Sequence, residues 1–252
     1  MRPGLSLSIG RSRRRPRTLG FNALSVTAVS EWYRTVTPGA LSTYLALINT
    51  GSPGIPGPAG ATHLPTVNAD LSLTFDGGDD IRIPLAAPNN NATTWGFGLW
   101  IKPSLSAQHT LYNAQASSGA SSTKARIDIF TNGSVQAVGL TSGAAASSAG
   151  ALVANVAKFL SIEYNGGRSA GSRFKFFVDG VDVTASDTSP AALNTPTGNS
   201  ELFAQDASGG GTSYIGTSGR SFFFYGSAEA GSPSGLLTVL GRAGLRTVDP
   251  LA

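Results

Sequence analysis

The sequence predicts an all-β protein built as two antiparallel sheets packed face to face, a β-sandwich. Three observations carry that prediction. Apolar and polar residues alternate over many short stretches, Gly is abundant at 32 copies, and helical periodicity is nearly absent. The 252 residues suffice for one large β domain with a sizeable core.

The strongest local signal runs from Ser172 to Thr184, SRFKFFVDGVDVT. Phe174, Phe176 and Val178 alternate with Arg173, Lys175 and Phe177, and Val181 and Val183 resume the alternation after Asp179-Gly180. Asp-Gly tolerates the positive φ of a tight primed turn, so the stretch predicts a β-hairpin with one face in a core. Asn132-Gly133 is a second dipeptide of this kind, between Ile127/Ile129 and Val135.

Charge divides the chain. Residues 1–17 hold Arg2, Arg11, Arg13, Arg14, Arg15 and Arg17 and no acid, so the overall charge of +4 hides a body of net −2. Residues 1–20 have no apolar core of a secretory signal and share the Arg-rich, acid-free composition of a transit peptide. They are expected to form a basic arm that docks on a neighbouring protein subunit. Nucleic acid is not the expected partner, because no aromatic platform or known nucleic-acid module accompanies the arginines. There is no Cys, hence no disulfide framework or thiolate metal site. No apolar run approaches the length that crosses a bilayer, and no membrane partner is expected.

Residues 21–65 are read as an anchoring segment and a linker. ALSTYLALIN is apolar and suits a strand or a short helix; Trp32 and Tyr33 are expected to pack on the sandwich edge. Gly51, Gly54, Gly57 and Gly60 fall at three-residue spacing with Pro53, Pro56 and Pro58, a collagen-like pattern. Four triplets are too short for a triple helix alone. They suit an extended spacer, or a short three-stranded junction in a trimer.

The sandwich is assigned to residues 66–252. Leu71, Leu73 and Phe75 alternate into the turn DGGDD, and Ile81, Ile83 and Leu85 alternate out of it. Trp95, Phe97, Leu99 and Ile101 make the next strand, stopped by Pro103. His109–Gln115 and Phe159–Tyr164 follow as strands, with Ser142–Gly150 and Ser186–Asn199 read as loops. Later strands are placed at Leu202–Gln205, Ser213–Ile215 and Ser221–Tyr225. The last 25 or so residues show no clear period and receive no element.

Three segments in this order resemble the concanavalin A-like jelly roll in its laminin-G-like form: LTFDGGDDIRI, WGFGLWIKP, and KFLSIEYNGG followed by FKFFVDGVDV. Upstream, the Arg-rich start and FNALSVTAVSEWYR resemble laminin-G-like proteins of tailed bacteriophages. The resemblance implies a virion component at the particle surface: a capsid decoration, head fibre or tail appendage. Its partners would be capsid or tail subunits, and three-residue glycine spacing suits a homotrimer. The usual closing strand of that pattern is missing from GLLTVLGRAGLRTVDPLA.

Catalytic chemistry is not expected. Glycanases pair carboxylates across the scissile bond, whereas Glu31, Glu163, Glu201 and Glu229 are scattered, and Glu163 reads as a solvated surface residue. His63 and His109 lie far apart with no ligand spacing, and no HExxH, phosphate loop or nucleophile elbow occurs. Asp76, Asp79 and Asp80 are the one cluster suited to Ca²⁺, though Asp at such turns commonly caps backbone N–H groups. No cofactor is expected. The alternative function is carbohydrate binding to a host-surface glycan. It requires exposed aromatics, for which Trp95, Trp100, Tyr112 and Tyr225 are the candidates by residue type.

Overall fold

The structure is a computed structural model. It describes residues 29–34, 39–40, 45–48, 55–56, 65–79, 81–83, 93–115, 123–138, 140, 142–193, 200–202 and 213–225. The six arm arginines, His63 and Asp80 lie outside the described residues, as does everything after Tyr225.

In chain order the strands are β1 (Val29–Arg34), β2 (Gly39–Ala40), β3 (Leu45–Ile48), β4 (Ile55–Pro56), β5 (Thr66–Val67) and β6 (Leu73–Asp76). Next come β7 (Ile81–Ile83), β8 (Thr94–Pro103), β9 (His109–Gln115), β10 (Thr123–Ile129), β11 (Val135–Val138) and β12 (Ala145–Ser147). The last six are β13 (Lys158–Asn165), β14 (Phe174–Val178), β15 (Val181–Asp182), β16 (Thr184–Asp187), β17 (Ser200–Leu202) and β18 (Ile215–Tyr225). They form a ten-stranded sheet, β15-β14-β13-β8-β18-β6-β5-β2 with β1 and β3 added beside β18. They also form an eight-stranded sheet, β16-β12-β11-β10-β9-β17-β7-β4. The pairings between these strands are antiparallel, and one isolated parallel bridge joins Thr110 to Ser213.

Period-two alternation builds the core between the sheets. From β8, Trp95, Phe97, Leu99 and Ile101 point inward, and Leu160, Ile162 and Tyr164 do so from β13. The facing sheet supplies Leu111 and Tyr112, Ile127 and Ile129, and Val135 and Ala137. Rings fill the centre: Trp95 lies 5.9 Å from Tyr112 of the opposite sheet and 5.9 Å, edge-on, from Phe174.

The Asp-Gly hairpin forms where the sequence places it. Asp179 and Gly180 have φ of 52° and 82°, the positive pair a primed turn needs. The Asp179 carboxylate secures the turn from outside, accepting the Phe159 N–H at 3.0 Å and pairing with Lys158 at 2.8 Å. One expectation fails here. Phe174, Phe176 and Val178 are buried, but Val181 is 64% exposed and Val183 only half-buried. β15 is a two-residue strand on the sheet edge, and both of its residues are exposed.

Other differences share a cause: backbone pairing makes strands from residues without an alternating pattern. Ser142–Gly150, read as a loop, contains β12, which pairs with β11 and β16. β16 likewise occupies the start of the stretch read as a Ser186–Asn199 loop. Ser213–Ile215 and Ser221–Tyr225 are not two strands. Residues 215–225 run as one, with a bulge between Ser218 and Phe222 where Gly219 interrupts the apolar pattern. The sheets also recruit backbone from before residue 66. β1 pairs with β18, ALSTYLALIN contributes strand β3, and Ile55–Pro56 inside the glycine triplets pairs with β7.

Candidate functional site

Alternation on β10 turns Ile127 and Ile129 into the core and Arg126 and Asp128 to the outer side of the eight-stranded sheet. Asp128 is fully buried there. Its Oδ1 accepts the Thr110 hydroxyl at 2.9 Å. Its Oδ2 accepts Gln108 Nε2 at 2.9 Å and the Arg126 guanidinium at 2.8 Å and 3.0 Å. A carboxylate so engaged and fully buried orients the side chains around it. It fixes Arg126 and Gln108 as oriented donors on a polar face. The side chain of Arg126 stays 28% exposed, free to address a hydroxyl or an anion. The Arg-x-Asp spacing, two residues on one strand face, was the available signal in the sequence.

A second polar cluster lies where β14 meets the loop after β16. The buried Asp187 carboxylate accepts the backbone N–H groups of Arg173, Phe174 and Ser189 and the Ser189 hydroxyl. Arg173 reaches back to the Ser189 carbonyl. Tyr164 donates its hydroxyl to the Pro190 carbonyl at 2.7 Å. Burial pushes the Tyr164 phenol up to about 12; the Arg173 charge opposes this and the Asp187 charge adds to it. This network ties a loop to the sandwich, and no sequence spacing announced it.

Glu163 is not solvated. It is 1% exposed on β13 and pairs with Arg168 at 3.0 Å. The turn after β13 folds Arg168 back over the strand, with Arg168 N–H donating to the Asn165 carbonyl. At the DGGDD turn, Asp79 Oδ2 accepts the Asp76 N–H at 3.0 Å and Asp76 Oδ1 accepts the Gly78 N–H at 2.9 Å. These two carboxylates cap backbone, the role Asp takes in tight turns. Among the described residues no group of three or more His, Asp and Glu side chains converges to hold a metal ion.

Of the aromatic candidates, the three with described side chains, Trp95, Trp100 and Tyr112, are all buried. Trp95 and Tyr112, at 1% and 0% exposure, belong to the core. Trp100 is 4% exposed and stands on the outer side of the ten-stranded sheet. The side chain at position 225 lies outside the described residues.

His109 is buried between the sheets, edge-on to Tyr214 at 5.9 Å, with Ser104 Oγ at 3.5 Å from Nε2 and Nδ1 unpartnered. Burial lowers its pKa below the ordinary 6.5, against a smaller opposing effect from the Ser213 backbone. The folded state therefore resists a proton that the unfolded chain accepts. Stability is full above about 6.5 and falls as pH drops below it toward the lowered folded value. Urea midpoints of the native chain should decline between pH 7.5 and 5.5. His109→Gln should flatten that decline; an unchanged slope would remove His109 as its source.

Two antiparallel sheets around one aromatic core, with polar clusters on the outer faces, define a two-sheet β-sandwich of jelly-roll type. Solved structures agree on this architecture. Trypanosoma rangeli sialidase superposes with a TM-score of 0.58 at 11% identity, covering 86% of this chain and 33% of that one. The binding domain of Botulinum neurotoxin DC, solved with rat synaptotagmin II, gives 0.54 at 12% identity, covering 84% of this chain and 52% of that one. The chain thus spans about a third of the length of the sialidase, and the likeness is one of fold. No family model and no curated protein matches the sequence.

Proposed function

We propose that this chain is a non-enzymatic structural component of a bacteriophage virion. It is a surface decoration, head fibre or tail appendage that docks on capsid or tail subunits through its N-terminal arm. The observation that carries the reading is the segregation of charge: six arginines and no acid in residues 1–17, ahead of a body of net −2. Such an arm adds contacts realised only in an assembled lattice, at an effective concentration set by its tether. Two further points support it. The buried carboxylates Asp128, Glu163 and Asp187 are committed to internal partners, and the sandwich has one continuous core of its own. Deletion of residues 1–20 is expected to leave a cooperatively folding protein that no longer enters particles. Normal incorporation of the truncated chain would overturn the arm's role.

A second reading is adhesion to a host-surface glycan. The Asp128 cluster favours it, because it holds Arg126 and Gln108 as fixed donors on a sheet face. A glycan array probed with the full chain should then give hits that Arg126→Ala abolishes. An array without hits would end that reading while leaving the structural role intact.

A further inference from the structure

Asn-Gly occurs twice in the chain, at 132–133 and 165–166, and both copies sit in described turns. An asparagine followed by glycine is the pair most open to spontaneous deamidation, because the glycine nitrogen has no neighbouring Cβ to hinder its attack. That nitrogen gives its proton to solvent base and bonds to the asparagine Cγ. The Cγ–Nδ2 bond breaks, and ammonia leaves with a proton taken from water. Water then opens the succinimide at either carbonyl, giving aspartate or isoaspartate. The product carries a new negative charge, and the isoaspartyl form also inserts a methylene into the main chain.

The folded turns hold the reacting atoms back. Asn132 is exposed, and its Oδ1 accepts the Ser134 N–H at 3.0 Å. The Gly133 N–H is engaged by the Phe130 carbonyl at 2.8 Å. The loop at residues 150–152 clasps the same turn. Gly150 N–H donates to the Asn132 carbonyl at 2.8 Å, and Leu152 N–H to the Gly133 carbonyl at 2.9 Å. A Cβ at Gly133 would run into the Leu152 carbonyl oxygen, so this glycine cannot turn while the loop lies over it. Leu152 is itself anchored in the core. At the second site, Asn165 Oδ1 accepts the Gly167 N–H at 2.9 Å, and the Gly166 N–H donates to the Thr93 carbonyl at 2.7 Å. Here the cover is Ala191, whose carbonyl oxygen a Cβ at Gly166 would meet. The chain leading to Ala191 is tied down by the Asp187–Ser189 bonds and by the Tyr164 hydroxyl on the Pro190 carbonyl.

We propose that Asn132 and Asn165 are sites of deamidation, each gated by its own covering loop. Ring closure at Asn132 requires residues 150–152 to lift from Gly133, and at Asn165 it requires residues 188–191 to lift from Gly166. Water is the only co-reactant. The two gates share none of the residues that fasten them, so they open independently. Local opening exposes each site for a small fraction of the time, whereas unfolding exposes both continuously, so the fold slows both reactions.

The test incubates the full chain, native and in guanidinium chloride, at mildly alkaline pH in water enriched in heavy oxygen. Peptides spanning each site are then followed by mass. Incorporation at both asparagines is expected in the denaturant, and slower by an order of magnitude or more in the native chain. Equal rates in the two states, or no incorporation in the denaturant, would overturn the proposal. Leu152→Ala should speed the native reaction at Asn132 several-fold and leave Asn165 unchanged, and Asp187→Asn should do the reverse. If either variant fails to fold, Leu152→Val and Ser189→Ala make the same comparison. No change at a variant's own site, or equal acceleration at both sites, would also overturn it.

Discussion

Trp95→Ala should lower the unfolding free energy by about 3–5 kcal/mol, the range for emptying an aromatic site in a packed core. The expectation rests on where the ring sits. Trp95 comes from the middle of the ten-stranded sheet and packs on Phe97, Tyr112, Tyr164 and Phe174, with centroids at 6.0, 5.9, 6.4 and 5.9 Å. Tyr112 belongs to the other sheet, so removing the indole opens a void across the interface between layers. The neighbours are themselves held in strands and cannot collapse into the gap, which places the loss in the upper part of that range. Chemical denaturation with an unchanged m-value would measure it. A loss below about 1 kcal/mol, the level of a surface substitution, would show that Trp95 is not a core residue and restore it as a candidate ligand platform.

Asp187→Ala is expected to be nearly as damaging, by a different mechanism. The carboxylate accepts three backbone N–H groups and a hydroxyl. Alanine accepts none of them, and the bonds it removes at Phe174 and Ser189 are buried ones. Each orphaned buried donor costs about 1–3 kcal/mol, so a total of about 3–5 kcal/mol is expected. Asp187→Asn keeps one acceptor oxygen and should cost less. Hydrogen exchange would locate the effect: protection should fall first at Phe174 and Ser189. Equal losses for the two variants would indicate that shape rather than acceptance matters at this position.

The fold was legible where side chains alternate strongly. β8, β13 and β14 have large apolar residues on their inward positions, and the Asp179-Gly180 turn declares itself by a dipeptide that only a few backbones require. β12 and β16 were not legible, because Ala145-Ala146-Ser147 and Thr184–Asp187 have too little apolar contrast to show a period. They become strands through backbone pairing with partners distant in sequence. The same limit applied to the polar sites. Asp128 gathers Gln108 and Thr110 from a strand and turn about 20 residues away, and Asp187 acts on residues 13 and 14 positions earlier. Glu163 was misjudged because alternation tells which side of a sheet a residue faces, and says nothing of whether that side is covered. Arg168, folded back from the turn after β13, pairs with Glu163 there. The aromatic candidates were chosen by residue type, and type does not distinguish a ring stacked on a ligand from one stacked on its neighbours.

β18 contacts β8 along one edge, and on its other edge β6 first and then β1. It is therefore the slat that joins the earliest strands to the middle of the sheet, and it is made after every other strand among the described residues. Until residue 225 has been made, β1, β6 and β8 each have an edge with no neighbour, and the nascent chain holds open ladders that other chains can join. Closing the sheet thus depends on distant pairings, which are slow to find. Synthesis at lower temperature or with chaperones present should raise the soluble yield of this chain more than that of a sandwich whose closing strand comes early.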